Sequence, residues 1–562
     1  MPTTSPLQIY CKNIDSYIDI EGGETLMEIF ERISDRMPGL NPVCALVNFK
    51  NEGLSYPVYS SKHVEFLDYK SPSGGRTYVR SLCMMLYRAV TKLYPGVKLK
   101  IEHSLSRGYF CRLEGLPEGV SVDDSLVEDI KREMLSLVER RLPFESHEVL
   151  TSHAVEIFEK QHLFDKSGLL RTIRTLYSTY YTLDGVADYY YGCLAPHTGL
   201  LGVFNLIVYH DGMLLTAPDP ADPSVAVTPL PQPKMYHAFT DYLRFNNIVG
   251  VTNVGELNSA VAKGDSAMLI NVSEALHDKR ISTIADMITE RFRKGGAKVV
   301  LIAGPSSSGK TTFTKRLAIH LMTNLINPRM ISLDDYFVDR EHTPRDPDGE
   351  FDYESLYALD IEAFNSDLNT LINGGEVMLP YYNFETGTRQ YKGNKISLGN
   401  NSVLLIEGIH GLNPELTDKI AEDMKFKIYV SALTTINLDN HNWIPTTDNR
   451  LLRRIIRDYK YRGASAVDTI KRWPSVRRGE EKWIFPYQEN ADATFNSSLL
   501  FELAVLRDKG EKILAQVPHD IPEYGEAHRL RHFLSYFTPI DENYIPSTSL
   551  IREFLGGSSF HY

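Results

Sequence analysis

The pattern of apolar and polar positions divides the chain into a front part and a C-terminal part of different character. From residue 298 onward, near-continuous apolar runs alternate with helical stretches. The clearest runs are KVVLIAG (298–304), RMISLDD (329–335), SVLLIEG (402–408) and KFKIYVS (425–431). Apolar strands separated by helical segments predict an α/β domain with a parallel sheet covered by helices on both faces. We assign it, with a C-terminal extension, to residues 297–562.

The first 72 residues have the pattern of a small α+β unit. LQIYCKN and SYIDIEG predict two short strands, and PVCALVNFK and HVEFLDY predict two more. Between these pairs, TLMEIFERISDRM has apolar residues at helical spacing. The segment Ser71–Arg76 (SPSGGR) is rich in turn-forming residues and predicts a linker.

A second α+β unit is predicted for residues 73–232. It combines the helical stretch YVRSLCMMLYRAVTKLY, the strands KLKIEH and GYFCRL, and a helix at Asp124–Arg141. The Pro-rich segment Pro218–Pro233 cannot hold regular structure and marks the next boundary. Residues 233–296 are interpreted as a linker and a docking helix, whose apolar stripe is Ile281, Ile284, Ala285, Ile288 and Phe292.

Composition narrows the classes of protein to consider. The chain has 562 residues, which favours two to four domains, and a net charge of −12. The chain therefore has no broad basic surface for binding nucleic acid, although this net charge is compatible with a local basic patch. No apolar run is long enough to span a bilayer, and the N-terminus lacks the features of a signal peptide. The five cysteines are dispersed, which is typical of a reducing compartment, so we expect a cytoplasmic protein without a membrane partner.

A phosphate-binding loop carries the strongest chemical signal. Residues Gly304–Thr311 read GPSSSGKT and match GxxxxGK[ST], with an apolar strand before and a helix after. Backbone N–H groups in such a loop face phosphate oxygens, and the helix N-terminus adds positive partial charge. Lys310 would bridge the β- and γ-phosphates, and the Thr311 hydroxyl would bind magnesium. The predicted cofactors are ATP and Mg²⁺, and the predicted nucleotide contacts are Gly304, Pro305, Ser306, Ser307, Ser308, Gly309, Lys310, Thr311 and Thr312.

Acidic residues follow two of the other predicted strands. Asp334 and Asp335 end RMISLDD, at the strand end where ligands bind in open α/β sheets. Asp334 could accept the proton of an attacking hydroxyl, whereas Asp335 is better interpreted as a cap of the next segment. Glu407 ends VLLIE and is a candidate magnesium ligand, with a buried acid of no chemical role as the alternative.

Arginines cluster in the segment RLLRRIIRDYKYRG. Arg454 and Arg457 are three residues apart and share a helix face, and Arg462 lies just before Gly463. We expect Arg454 and Arg457 to clamp the transferring phosphate and Arg462 to contact the nucleotide as a lid closes. A solvated basic helix would give a similar pattern.

With these motifs in order, residues 298–500 resemble the uridine kinase and phosphoribulokinase family of P-loop kinases. GPSSSGKTT, ISLDDYF, IEGIHGL and RRIIRDYKYRG match the family's phosphate loop, base segment, magnesium-acid motif and arginine lid. The resemblance implies an ATP-dependent kinase acting on a hydroxyl of a nucleoside or a related small sugar alcohol, with Asp334 as the general base. GEFDYESL and LPYYNFETGTRQY resemble the acceptor segments, which implies substrate contacts from Tyr353, Glu354, Tyr382, Phe384 and Arg389.

Two departures bear on the acceptor. Gly387 stands where pyrimidine-specific members carry a base-contacting histidine, and Ala464 stands where they carry an arginine. Both missing groups are hydrogen-bond donors to the base, and discrimination by hydrogen bonding needs its partners. Phosphorylation of a sugar hydroxyl is therefore better supported than uridine itself.

The front part resembles a different family. Residues 1–72 look like a TGS domain, and residues 73–232 look like the editing-type second domain of threonyl-tRNA synthetase, most clearly at KLKIEHSLSRGYFCRL. The HxxxH pair of that domain is replaced at Arg80–Met84, and one Cys193 with one His197 does not make a hydrolytic site. We therefore expect no editing, and structural roles for His103 and His197.

A second hypothesis places the protein in another functional class. In this hypothesis it is an RNA- or tRNA-sensing regulator whose nucleotide site acts as a switch. A kinase needs a base beside an acceptor pocket, and Asp334, Tyr353, Glu354 and Tyr382 supply one. The acidic net charge also disfavours RNA. The predicted partner is thus a small-molecule acceptor, with nucleic acid a weaker alternative through the front units and a homo-oligomer left open.

Overall fold

The first unit is a mixed five-stranded sheet crossed by one helix. The computed structural model describes residues 7–561, so the predicted limits at residues 1 and 562 lie outside the described residues. The elements are β1 (Leu7–Cys11), β2 (Ser16–Ile20), α1 (Leu26–Ile33), β3 (Cys44–Val47), β4 (Lys50–Glu52) and β5 (His63–Leu67). The strand order is β2-β1-β5-β3-β4, with β1 and β5 parallel. These elements confirm the predicted strands and helix of the unit.

The second unit contains two antiparallel sheets, β11-β12-β7-β6 and β10-β9-β8. Its elements are α2 (Pro72–Leu93), β6 (Lys98–Leu105), β7 (Gly108–Glu114), α3 (Asp124–Arg140), β8 (Glu145–Leu150), α4 (Thr151–Lys160), α5 (Phe164–Thr172), β9 (Tyr177–Leu183), β10 (Val186–Asp188), β11 (Asn205–Tyr209) and β12 (Gly212–Thr216). The predicted linker at Ser71–Arg76 is wrong. Ser71 caps α2 by accepting a hydrogen bond from the Gly74 N–H, and Pro72 takes the first helical position, where its fixed φ is favourable.

Helices connect the second unit to the α/β domain. They are α6 (Pro233–Val249), α7 (Val254–Lys263) and α8 (Ser266–Arg293). The part of 233–296 that was interpreted as a linker is therefore helical. Helix α8 contains the predicted apolar stripe and buries Ile281, Ile284, Ala285 and Ile288. The segment 218–232 contains no helix or strand element, as its proline content predicts.

The α/β domain is built on a parallel sheet of order β14-β17-β13-β18-β19. Its elements are β13 (Val299–Ala303), α9 (Lys310–Thr323), β14 (Asn327–Ser332), α10 (Ile361–Ile372), β15 (Glu376–Asn383), β16 (Thr388–Ser397), β17 (Ser402–Glu407), β18 (Lys425–Ser431), α11 (Thr446–Tyr461), α12 (Ala466–Trp483), β19 (Ala493–Asn496), α13 (Glu502–Leu514), α14 (Tyr524–Leu534) and α15 (Arg552–Leu555). Along β13, Val300 and Ile302 join one apolar core with Phe313 of α9, whereas Val299 and Leu301 join another with helix α10. The predicted parallel sheet with both faces covered is thus confirmed.

The second unit shares its apolar core with the α/β domain. Phe158 of α4 and Leu169 of α5 lie in the same buried cluster as Phe313 and Leu452. On another side, Phe110 of β7 belongs to a cluster with Tyr429 of β18. The second unit is therefore built into the fold rather than attached to it by a free linker. Among residues 7–561, no helix is both long enough and apolar enough to cross a bilayer.

A buried ionic network also joins the front part to the α/β domain. The Lys166 ammonium lies 2.8 Å from Asp188 Oδ1 and 2.8 Å from Asp439 Oδ1. The second oxygen of Asp188 lies 2.8 Å from His441 Nδ1. None of these four side chains is more than 1% exposed. The two carboxylates share the Lys166 ammonium, and His441 is a second partner of Asp188, so removal of the lysine would leave the buried acids poorly compensated.

We expect Lys166→Met to destabilise the whole chain by about 3–5 kcal/mol, because it leaves two buried carboxylates without their cation. The measurement is a urea-unfolding midpoint for the variant and the wild type. Lys160→Met is the matched control, since Lys160 is exposed at the end of α4. Equal midpoints for Lys166→Met and wild type would mean that the network does not hold the units together.

Candidate active site

The phosphate loop follows the central strand of the parallel sheet. Strand β13 ends at Ala303, the loop runs through residues 304–309, and α9 begins at Lys310. A Cβ at Gly304 would lie 2.0 Å from the carbonyl oxygen of Val430, so only glycine allows the loop to leave the sheet here. Lys310 Nζ donates to the Pro305 carbonyl at 3.2 Å, so its side chain curls back over the loop it belongs to.

Two buried ion pairs bind the backbone of the phosphate loop and fix its position. The Ser306 N–H donates to Glu480 at 3.2 Å, and the Ser306 carbonyl accepts from Arg450 at 3.1 Å. Arg450 and Glu480 form a two-bond ion pair with at most 1% of either side chain exposed. One turn along α11, Arg453 pairs with Glu502 and donates to the Ser307 carbonyl at 3.3 Å. These positioning residues were missed, because the acids lie 30 and 49 residues beyond their arginines in the sequence.

Glu407 and Thr311 meet beside the loop. Glu407 ends β17, which pairs directly with β13, and the Thr311 hydroxyl donates to Glu407 Oε1 at 3.1 Å. Burial raises the pKa of Glu407 to about 7; the Lys310 charge opposes the shift, and the carboxylates of Asp334 and Glu553 add to it. A hydroxyl and a carboxylate are the hard oxygen donors that Mg²⁺ prefers, and a divalent cation would offset this crowding of negative charge. The two residues therefore fit the predicted magnesium site.

Asp334 and Asp335 follow the edge strand β14 in a short 3-10 turn. Asp334 is exposed, and its charge raises the pKa values of both Glu354 and Glu407. The prediction that Asp335 caps this turn is wrong: Ser332 is the cap, and it accepts from the Asp334 N–H at 3.3 Å. Asp335 instead accepts the N–H of Tyr382 at 3.3 Å. Asp334 is thus the solvent-exposed carboxylate of the pair, whereas Asp335 is bound to the β15–β16 hairpin.

An aromatic wall stands next to Asp334. The Phe337 ring lies 5.5 Å from Tyr382, 6.0 Å from Tyr353 and 6.0 Å from Phe384. Tyr382 is buried, yet its hydroxyl has no hydrogen-bond partner among residues 7–561. Phe384 is 55% exposed at the hairpin turn. The structure therefore brings together Tyr353, Tyr382 and Phe384, as the acceptor segments implied.

Glu354 carries the second unpartnered group. Its Oε2 is buried and accepts no hydrogen bond from any residue that the structure describes. Burial raises the pKa of Glu354 to about 7, although the nearby guanidinium of Arg454 and ammonium of Lys310 oppose the shift. Since buried polar atoms are nearly always paired, this carboxyl and the Tyr382 hydroxyl are each a candidate contact for a polar ligand.

The hairpin turn explains one departure and shows which residues of the fold hold Arg389. Gly387 has φ of +71°, and a Cβ there would lie 2.6 Å from Arg340 Nε, so no histidine fits without moving Arg340. Arg389 is held elsewhere: its guanidinium pairs with Asp360 at 2.7 Å, and its N–H donates to Asp339 at 2.8 Å. The geometry therefore gives Arg389 a role in supporting the hairpin.

The predicted lid arginines converge on one carboxylate. Asp458 lies 3.3 Å from Arg454, 2.8 Å from Arg457 and 3.6 Å from Arg462. Burial would raise the pKa of Asp458, but these three cations lower it overall. Repulsion from Arg457 lowers the pKa of Arg462 to about 10. Arg454 also donates to the Ser306 hydroxyl at 2.9 Å, so surplus positive charge borders the phosphate loop.

We expect Glu354 to contribute stability that is lost as the pH rises from about 4.5 to about 7. Its folded pKa of about 7 exceeds its ordinary value of 4.5, so the folded state holds this proton more tightly. The resulting stabilisation is complete below pH 4.5 and is lost as the pH rises through 7. Glu354→Gln is neutral at every pH and lacks this contribution, so the stability of the wild type relative to the variant should fall as the pH rises across this window.

The measurement is the urea midpoint of each protein at several pH values across that window. Glu362→Gln, which removes an exposed carboxylate in the first turn of α10, is the matched control and should follow the wild type. If Glu354→Gln keeps the wild-type slope, the raised pKa of Glu354 is incorrect.

Comparison with known proteins places this site in a family. Residues 299–500 match the Phosphoribulokinase / Uridine kinase family. The chain is 31% identical over 196 residues to a uridine kinase of Staphylococcus aureus (strain JH9), an alignment that covers 34% of this chain and 84% of that protein. The chain belongs to the phosphoribulokinase/uridine kinase family. This supports the interpretation of the C-terminal part as a P-loop kinase domain, hence a phosphotransferase, and the family implies ATP and Mg²⁺ in general.

Two solved structures share some likeness with part of this chain. One is described as a possible uridine kinase from Bacillus stearothermophilus, with 20% identity, a TM-score of 0.27, and coverage of 39% of this chain and 98% of that one. The other is D-glycerate 3-kinase from Cryptococcus neoformans var. grubii, with 13% identity, a TM-score of 0.22, and coverage of 50% and 90%. Since both scores are low, the family assignment rests on the sequence matches.

Proposed function

We propose that the protein transfers the γ-phosphoryl group of ATP to a hydroxyl of a nucleoside or a related small sugar alcohol. The observation that carries this proposal is the pair of buried, unpartnered polar atoms on the acceptor side, Glu354 Oε2 and the Tyr382 hydroxyl. A polyhydroxylated acceptor would donate to the first and accept from the second. A nucleotide switch needs no such pocket, so this pair favours a kinase over a regulator.

The nucleotide half of the site would consist of residues 304–312 and the lid arginines. Backbone N–H groups of the loop and the start of α9 would bind phosphate oxygens, and Lys310 would reach from the loop to the outer phosphates. Thr311 and Glu407 would hold Mg²⁺, which supplies charge neutralisation to the phosphates when bound. Arg454, Arg457 and Arg462 would supply the positive charge that the transferring group needs.

Asp334 is proposed as the general base. It is exposed at the carboxyl edge of the sheet that carries the phosphate loop, and its charge acts on both Glu354 and Glu407. In this position it can accept the proton of an acceptor hydroxyl as that oxygen attacks the phosphorus. Tyr353, Tyr382 and Phe384 would pack against the apolar faces of the acceptor.

The acceptor is proposed to be bound mainly through its sugar-like hydroxyls. Gly387 offers no side chain, and a Cβ there would collide with Arg340. Ala464, at the second departure, offers a methyl group in place of a donor. The base-recognition groups implied for pyrimidine-specific members are therefore absent at both of these positions, which favours a wider choice of acceptor.

The front units are proposed to follow the domain boundaries given above, with a TGS-like unit at 1–72 and an editing-type unit at 73–232. The strand order β2-β1-β5-β3-β4 is consistent with a ubiquitin-like module. In the second unit, both ring nitrogens of His103 are buried and have no hydrogen-bond partner among residues 7–561, and the ring stacks on Phe239, which supports a packing role. A nucleic-acid ligand, a homo-oligomer and a cytoplasmic location remain predictions.

The test is transfer of labelled phosphate from ATP to a panel of acceptors. The panel should include ribonucleosides, the matching 2′-deoxy and base-free sugars, sugar alcohols and sugar phosphates. We expect Mg²⁺-dependent transfer to at least one polyhydroxylated acceptor, with loss of transfer in Glu354→Ala. Steady ATP hydrolysis that no acceptor accelerates would instead favour the nucleotide switch.

A further inference from the structure

The C-terminal segment 549–556 reaches the phosphate loop. Glu553 Oε2 accepts from the Thr312 N–H at 3.2 Å and from the Thr312 hydroxyl at 2.6 Å. Thr312 lies in the first turn of α9, immediately after the Lys310–Thr311 pair of the loop motif. A carboxylate is therefore bonded to backbone and hydroxyl donors of the helix N-terminus at which a nucleotide phosphate would bind.

The rest of the segment is packed so that this carboxylate stays in place. Leu550 lies against Gly309, where it fills the space that a side chain would take. Phe554 packs under the Arg453 guanidinium at 4.9 Å from the ring centre. The Leu555 carbonyl accepts from Lys460 of α11 at 2.7 Å and from Lys509 of α13 at 3.2 Å. The segment thus spans from the loop to the lid helix α11.

The negative charge of Glu553 affects other ionisable groups of the proposed nucleotide site. It raises the pKa of Glu407 together with Asp334, and it acts on Lys315 in the second turn of α9. A polyphosphate entering the loop would bring more negative charge to the same donors. Two anions cannot share the Thr312 N–H and hydroxyl, so one of them must leave.

We propose that the Glu553 carboxylate is an intramolecular competitor of nucleotide phosphate at Thr312, so that nucleotide binding displaces the C-terminal segment 549–556. The inference rests on the proposed nucleotide site and adds a residue that sets its affinity. The observed affinity then equals the intrinsic affinity reduced by the fraction of molecules in which Glu553 is undocked. Displacement would also break the hydrogen bond between the Leu555 carbonyl and Lys460 of α11. Nucleotide binding at the loop is thereby linked to the lid helix.

Binding of MgATP to the full chain, measured by calorimetry without any acceptor, tests the competition. We expect Glu553→Gln to bind MgATP roughly ten-fold more tightly than the wild type, because the amide is a weaker competitor for the Thr312 donors. Adenosine, which has no phosphate, should bind both proteins equally. Glu290→Gln is the control for loss of one negative charge, since Glu290 lies at an exposed ion pair with Lys294.

Glu553→Asp separates contact from long-range charge. It keeps the charge but is shorter by one methylene, so under direct competition it should also tighten MgATP binding. If Glu553→Asp matches the wild type while Glu553→Gln binds tightly, repulsion through space is the cause and the proposed contact is wrong. Equal MgATP affinity in all three proteins overturns the inference and leaves the proposed function intact, whereas absence of MgATP binding in all three overturns both.

Hydrogen exchange on the wild type tests displacement without any substitution. Amides in segment 549–556 should exchange faster when MgATP is added, while those of β13 should not. Unchanged exchange in the segment at saturating MgATP would show that the nucleotide binds with Glu553 still docked, and this also overturns the inference.

Discussion

Lys310→Ala is expected to abolish phosphoryl transfer and to weaken ATP binding at least ten-fold. The ammonium is the only side-chain cation contributed by the loop itself, and it would make charge-assisted contacts to two phosphates. The structure adds a second effect. Lys310 opposes the raised pKa values of Glu354 and Glu407, so its removal should raise both further and leave more of each carboxyl protonated near neutral pH.

The measurements are single-turnover transfer with the best acceptor and calorimetric titration with MgATP. Lys279→Ala is the control, because Lys279 is exposed on α8 and the change in charge is the same. Turnover within a few-fold of wild type in Lys310→Ala would contradict the assignment of residues 304–311 as the phosphate loop, and the kinase proposal would fail with it.

The parallel sheet was predictable because each of its buried strands is apolar on both faces. Residues 299–303 and 403–406 appear in the sequence as uninterrupted apolar runs, and both lie in interior strands of the sheet. The start of α2 was not predictable in the same way, because Ser-Pro-Ser-Gly-Gly is as typical of a linker as of a capped helix start. A Cβ at Gly74 would lie 1.8 Å from the carbonyl oxygen of Asp68, so this helix start needs a glycine, but the sequence alone does not show that close approach.

The candidate site was predictable only where the chemistry lies within one segment. The loop, the acid that ends β17 and the arginines of α11 are each local patterns, and the structure brings them to one edge of the sheet. Glu480 and Glu553 could not be found in this way, since they lie 174 and 241 residues from the loop residues they bond. Arg389 was transferred by resemblance, but its partner Asp360 is set by the fold of α10.

Asp334→Asn is expected to lower kcat by roughly a hundred-fold or more while leaving MgATP affinity within a few-fold. The amide keeps the volume of the side chain but cannot take the acceptor proton. Some activity should remain, because much of the rate enhancement of phosphoryl transfer comes from positioning of the reactants and from charge stabilisation. The expected split follows from the structure: Thr311 and Glu407 contact each other beside the loop, whereas Asp334 stands in the exposed turn after β14.

Asp335→Asn is the matched control for this experiment. Its amide oxygen can still accept the Tyr382 N–H, so the hairpin and the acceptor wall should be retained and kcat should change little. The two variants are titrated with ATP and with magnesium at saturating acceptor. If the ATP affinity and the magnesium dependence of Asp334→Asn change together with its rate, Asp334 is a metal ligand. If kcat falls in Asp335→Asn but not in Asp334→Asn, Asp335 is the base. A rate loss confined to Asp334→Asn, with binding retained, is the result that a general base requires.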